Sequence, residues 1–197
     1  FENLIVELSK NWPSKRIGVI EFIYPPKHEF AFNEAKQGEK FCNRIIKRFN
    51  PTYNGTFKFY VTSSIDDMGL LENFDYYFVA ITTGKTREGM ILTAKGNENY
   101  PHEFVHKLLP NNENRGQVIE EGLATFLGTK ESEKEYAELL NKLATDLTTN
   151  SERFNFKTII SQSVRFNGYQ TAYSAGAATC ELVYEKRGEE VLTELFM

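Results

Sequence analysis

The chain has 197 residues with 41% hydrophobic, 14% aromatic and 25% charged side chains and a formal net charge of −4. That supports one folded domain with a sizeable core and excludes a disordered or low-complexity chain, and the scattered lysines and arginines offer no basic face for nucleic acid or an anionic membrane. No apolar run reaches the roughly eighteen residues of a transmembrane segment, and a start at Phe1 rather than Met suggests a processed segment, hence an extracytoplasmic setting, secreted or cell-envelope, after loss of a signal peptide.

In chain order, Ile17 to Tyr24 is rich in β-formers and ends at Pro25-Pro26, so it reads as a strand, with His28 beyond it on the surface. A helix follows from Glu34 to Phe49, with Asn33 as N-cap, Phe41, Ile45, Ile46 and Phe49 at helical spacing, and Asn50-Pro51 as the stop. Phe57 to Val61 alternates like a strand. Tyr76 to Thr82 and Met90 to Ala94 flank the polar stretch from Thr83 to Gly89 and predict a hairpin. Gly96 to Asn99 reads as a loop, and Pro101 suits the first turn of a helix that Asn99 is placed to cap.

That helix carries His102-Glu103-Phe104-Val105-His106. Two histidines four apart on a helix point at one spot and can hold one Zn²⁺, while the glutamate between them is placed to act as base on a water there. Phe104 and Val105 suit the helix's buried face. A catalytic zinc also needs a third protein ligand and an open position. Gln117 to Leu127 predicts a second helix, packed through Ile119, Leu123 and Phe126, with Glu120 and Glu121 beside that stripe. Neighbouring side chains diverge by about 100° on a helix, so one acid faces the histidines. Gly122, which lets two backbones come close, favours Glu121.

The helix is expected to end near Gly128, followed by an amphipathic one from Glu131 to Leu147 with Tyr136, Leu139, Leu140 and Leu143 on its core face. Phe154-Asn155-Phe156 reads as a surface passage. Tyr169 to Gly176 then leads into a helix stopped by Gly188, whose small residues Ala172, Ala175, Gly176 and Thr179 recur at helical spacing and permit close packing against the helix of Glu121. Cys42 and Cys180, without C-x-x-C spacing, read as buried thiols rather than ligands, a single disulfide being the alternative.

His102-Glu103-Phe104-Val105-His106, fourteen intervening residues and then Glu121-Gly122-Leu123-Ala124 resemble the gluzincin zinc metallopeptidases of the peptidase-MA-like type. The similarity extends from Ile17 to the end, most specifically in the two motifs. It implies a zincin-like α+β fold in one domain. Residues 1–109 would form a mixed sheet with a helix packed over the H-E-x-x-H helix, and 110–197 a mainly helical lobe bearing the third ligand. It also implies zinc held by His102, His106 and Glu121, Glu103 as general base, and a peptide or protein substrate. An extended substrate would pair with an edge strand, here Gly89 to Ala94. Tyr173, with Tyr169 in reserve, is the candidate donor to an oxyanion.

Thr125 stands where such families carry an acid that orients a histidine ligand, which leaves that task to Glu120 or a backbone carbonyl. No G-x-M-E-N motif precedes the helix, so endopeptidase is expected over aminopeptidase. The alternatives are a catalytically weak or inactive zinc-binding domain recognising a protein or glycan partner, against which Glu103 argues, and a metal-free α+β interaction module. No motif specifies an oligomeric state.

Overall fold

Strands buried on both faces belong inside a sheet that helices cover from either side, and two segments of this chain meet that description. Phe57–Val61 and Met90–Thr93 are buried along almost their whole lengths. In the computed structural model, which describes residues 2–72, 84–87, 89–109, 116–130, 132–149, 165–166 and 169–194, both are interior strands of a mixed sheet. The chain divides into two compact units, Phe1–Leu108 and Leu109–Met197. Both helices and strands contribute, so the class is α+β.

In the first unit, β1 (Ser14–Ile17), β2 (Ile20–Ile23), β3 (Phe57–Val61), β4 (Gly84–Arg87) and β5 (Met90–Thr93) lie in the order β1-β2-β3-β5-β4. The two central pairings, β2 with β3 and β3 with β5, are parallel, and the two outer ones are antiparallel. Helices α1 (Glu2–Leu8), α2 (Phe32–Phe49), α3 (Ile65–Glu72) and α4 (Pro101–Leu108) cover it. On one face Tyr60, Met90, Leu92 and Ile23 cluster with Ile5 of α1 and with Met68 and Leu71 of α3. Alternation sends Phe57 and Phe59 to the other face, where both rings meet Phe104 of α4. Burying each such aromatic contributes about 1.5–3 kcal/mol.

Several expectations change. The predicted strand from Ile17 to Tyr24 is the turn and second arm of a hairpin, because Gly18 takes a left-handed φ of +58° that reverses the chain between Ile17 and Ile20. The first arm was illegible because three of its four residues are exposed and polar. Helix α2 starts one residue before Asn33, with Ala31 as an N-cap that makes no side-chain capping bond. Asn99 does not cap α4: its Oδ1 has no hydrogen-bond partner among the described residues, and the Phe104 N–H donates to Tyr100 O at 3.2 Å.

The hairpin before α4 is tighter than expected, pairing Gly84–Arg87 with Met90–Thr93; Tyr76 to Thr82 lies outside the described residues. Gly89 to Ala94 is therefore not an edge. Strand β5 is bonded on both sides, by β3 and β4, and among the described residues the outer strands of the sheet are β1 and β4.

The second unit contains α5 (Gln117–Thr129), α6 (Glu133–Thr149), the short pair β6 (Arg165–Phe166) and β7 (Tyr169–Gln170), and α7 (Thr171–Glu194). Helices α5 and α7 make its principal contact, and their backbones meet at Gly122 and Gly176: a methyl on either glycine would run into the other helix's main chain. The close approach expected of α7 is present, but its buried face runs through Gly176, Ala177 and Cys180, with Thr179 exposed. Gly176 is common to the predicted stripe and the buried face, which continues to Ala177 and Cys180 rather than to Thr179.

Tyr136 and Leu143 of α6 are buried as expected, whereas Leu139 and Leu140 are half-buried. The Tyr136 hydroxyl donates to Glu181 Oε2 at 3.1 Å, and Lys130 Nζ reaches Glu181 Oε1 at 3.2 Å. Gly188, at φ +84° and ψ 178°, is non-helical and stops the regular helix as expected, and a second helical stretch continues α7 beyond this kink to Glu194. Both cysteines are buried free thiols. Phe154 to Phe156 lies outside the described residues, and among those described no helix is long and apolar enough to cross a membrane.

Candidate metal centre

An eight-residue helix is too short to be stable alone and depends on its packing. Pro101 opens α4, where a missing N–H costs nothing. Phe104 is fully buried against Phe41, Phe57 and Phe59, with ring centroids 6.4, 6.0 and 5.3 Å away. At Gly38 of α2 an added methyl would sit 3.0 Å from the Phe104 ring and 3.2 Å from the Glu98 carbonyl, so α2 lies close over α4. Asn50, just past α2, donates through Nδ2 to Leu108 O at 2.8 Å, satisfying a carbonyl at the C-terminal end of α4.

The lead-in is held as well. His28 Nε2 lies 2.6 Å from Glu98 Oε1, with their side chains 8% and 0% exposed. His28 is thus not the surface residue expected from its neighbouring prolines; its ring turns inward because Glu98, wholly buried, needs a hydrogen-bond partner.

With Phe104, Val105 and Leu108 buried, the other side of α4 carries His102 and His106, both half-buried. Their Nε2 atoms are 3.2 Å apart and their rings are nearly perpendicular, at 77°. Two nitrogens each about 2.05 Å from one tetrahedral ion stand about 3.3 Å apart, so the separation is that of two ligands to one metal. Glu121, half-buried in α5, completes a group with the two histidines in which all ligand atoms lie within 4.8 Å of one another. Two imidazoles and a carboxylate fit a divalent ion of borderline softness, and the three residues form a group that can hold one.

Glu103 is buried, at 7% exposure, and is not left without a partner: Thr86 Oγ1 of β4 donates to its Oε2 at 2.6 Å. Tyr173 stands half-buried in the first turn of α7, and Tyr169 belongs to β7. Thr125 is buried one turn after Glu121, and Glu120 is half-buried.

Sequence reading missed Thr86, Asn50 and the His28–Glu98 pair. Their partners lie 17, 58 and 70 positions away along the chain, and no local pattern marks such contacts. Only the buried, charged Glu98 ahead of Pro101 carried a hint. The chain matches no protein-family model, and no curated protein shows significant sequence similarity to it.

Proposed function

We propose that this chain is a zinc-dependent peptide-bond hydrolase of gluzincin-like type, acting as an endopeptidase, with His102, His106 and Glu121 as the metal ligands. The observation that carries the reading is the convergence of those three ligand atoms within 4.8 Å, with a buried carboxylate, Glu103, in the sequence between the two histidines. Zinc held there supplies Lewis acidity, polarising a scissile carbonyl and acidifying water.

The chain's own residues supply the rest. Glu103 accepts the proton of the attacking water and returns it to the leaving amine, a transfer worth typically 10²–10⁴-fold in rate. Burial shields its carboxylate from bulk water. Tyr173 is the proposed donor to the oxyanion, an interaction whose loss costs about 3 kcal/mol. Strand β4, an outer strand of the sheet among the described residues, is where an extended peptide would add through main-chain hydrogen bonds.

The test is to incubate zinc-loaded protein with a diverse peptide library and read cleavage by mass spectrometry, comparing wild type with Glu103→Gln. Wild type should cleave internal bonds, and the variant should keep zinc but lose hydrolysis. Full activity in Glu103→Gln would sink the assignment. Zinc binding with no cleavage by either protein would move the reading to a zinc domain that recognises a partner.

A further inference from the structure

We propose that Thr86 is a positioning residue for Glu103, and that its hydroxyl, rather than its bulk, sets the orientation in which the base works. The inference rests on the hydrolase reading above and adds to it a residue from outside both sequence motifs.

The Thr86 hydroxyl has one proton to donate, and two acceptors of the same residue lie near it: Glu103 Oε2 at 2.6 Å and the Glu103 main-chain carbonyl at 3.4 Å. The shorter bond, to a carboxylate oxygen, is the stronger. Strand register explains how Thr86 comes to be there. Thr86 pairs with Ile91 across β4 and β5, and Ile91 with Phe59 across β5 and β3, so all three share the sheet face on which Phe59 meets Phe104. Thr86 is thereby turned toward α4, its hydroxyl at the carboxylate.

Glu103 has three rotatable side-chain bonds, and burial limits them without choosing among them. A donor fixed on a strand does choose. It engages Oε2 and leaves Oε1 as the oxygen to meet the water. A hydroxyl suits this role because it holds the carboxylate without adding a positive charge that would weaken it as a base. Loss of partners that orient reacting groups typically costs 10- to 100-fold, and a displacement of about 1 Å can cost 10²-fold.

Thr86→Val keeps shape and strand preference while removing the hydroxyl; Thr86→Ala removes it without adding an atom; Thr86→Ser restores it. On the best-cleaved library peptide, resynthesised with a fluorophore and quencher, valine and alanine should each lower kcat about 10- to 100-fold, with KM and zinc content near wild type. Serine should recover most of the rate. In metal-free protein with ¹³C-labelled glutamate carboxylates, the Glu103 resonance, identified by its absence in Glu103→Gln, should move in Thr86→Val and return in Thr86→Ser. Unchanged kcat in the valine and alanine variants, a serine variant as slow as valine, or an unmoved resonance would overturn the inference while leaving an active wild type and the hydrolase reading intact. A zinc-loaded wild type that cleaves nothing removes the hydrolase reading, and the inference falls with it.

Discussion

Gly176→Ala probes the closest helix approach in the second unit. An added methyl there would run into the Val118 carbonyl oxygen and stand 2.8 Å from Gly122 Cα and 3.2 Å from Gly122 N, whereas ordinary van der Waals separation is 3.4–4 Å. All three obstructing atoms are main chain, so no side chain can rotate away. Moving the methyl from 2.8 to 3.4 Å of the Gly122 α-carbon already requires α5 and α7 to part by about 0.6 Å. A gap of 0.5–1 Å forfeits roughly a quarter to a half of each dispersion contact across the interface.

Overpacking of this kind costs about 1–3 kcal/mol, and a main-chain obstruction belongs at the upper end. Alanine's better helix propensity returns about 1 kcal/mol. The net expectation is a loss of about 2 kcal/mol, or a fall in Tm of about 4–8 °C at roughly 2–4 °C per kcal/mol for a chain of this size. Thermal and urea unfolding followed by circular dichroism measures it. Gly188→Ala is the internal comparison: an added Cβ would meet nothing within 4 Å, so its cost of about 1–3 kcal/mol comes from φ +84° alone. A Gly176→Ala protein as stable as wild type, or stabilised by the gain in propensity, would refute the main-chain obstruction.

Three further outcomes are expected. His28→Ala strands Glu98, whose Oε2 already lacks a hydrogen-bond partner among the described residues, inside the fold, and should cost about 3 kcal/mol in urea unfolding; a change under about 0.5 kcal/mol would contradict the buried pair, since that is the scale of surface substitutions. Chelation of zinc-loaded protein should lower stability by about 2.7 kcal/mol where free zinc had stood at about 100 times Kd, and His102→Ala should abolish that difference; an unchanged Tm on chelation would argue against binding.

The third concerns alkaline pH. Burial pushes the Cys180 thiol from its ordinary 9.0 up to about 12, and burial followed by the nearby Glu39 raises Cys42 further. Above pH 9 the unfolded thiols ionise while the folded ones stay protonated, so the unfolded state binds fewer protons and stability falls as pH rises. For Cys180 the loss is roughly 1.4 kcal/mol per pH unit through the window from 9 to about 12. The urea midpoint should therefore drop between pH 8 and pH 10.5, and Ellman's reagent at pH 8 should label the thiols only in urea. Labelling of the native protein at the unfolded rate would contradict their burial.

Features written into neighbouring residues are legible along the chain itself. Strand Phe57–Val61 matches its expected bounds because its alternating pattern and β-forming side chains are local to those five residues. Helix α4 begins at Pro101 as expected, since proline's fixed φ and missing N–H mark a first turn. The i, i+4 spacing puts His102 and His106 on one side of the helix, where their Nε2 atoms stand 3.2 Å apart. Misreadings arose where a neighbour distant in sequence decides the outcome. Gly18 reverses the chain within a run of β-formers. His28 is drawn inward by a carboxylate seventy positions away. Strand β5 loses its edge to β4, since alternation along a strand says nothing about which strands lie beside it.

The same division runs through the metal centre. The sequence by itself determined that two imidazoles share one side of a helix with a glutamate between them and that Gly122 permits a close helix approach, because the helical period alone dictates these relations. Only the tertiary structure decided that the carboxylate of Glu121 lies within 4.8 Å of both imidazoles and that Thr86 holds Glu103. Those relations join residues distant along the chain, and such a partner is set by tertiary packing, not by a side chain's own stretch of sequence.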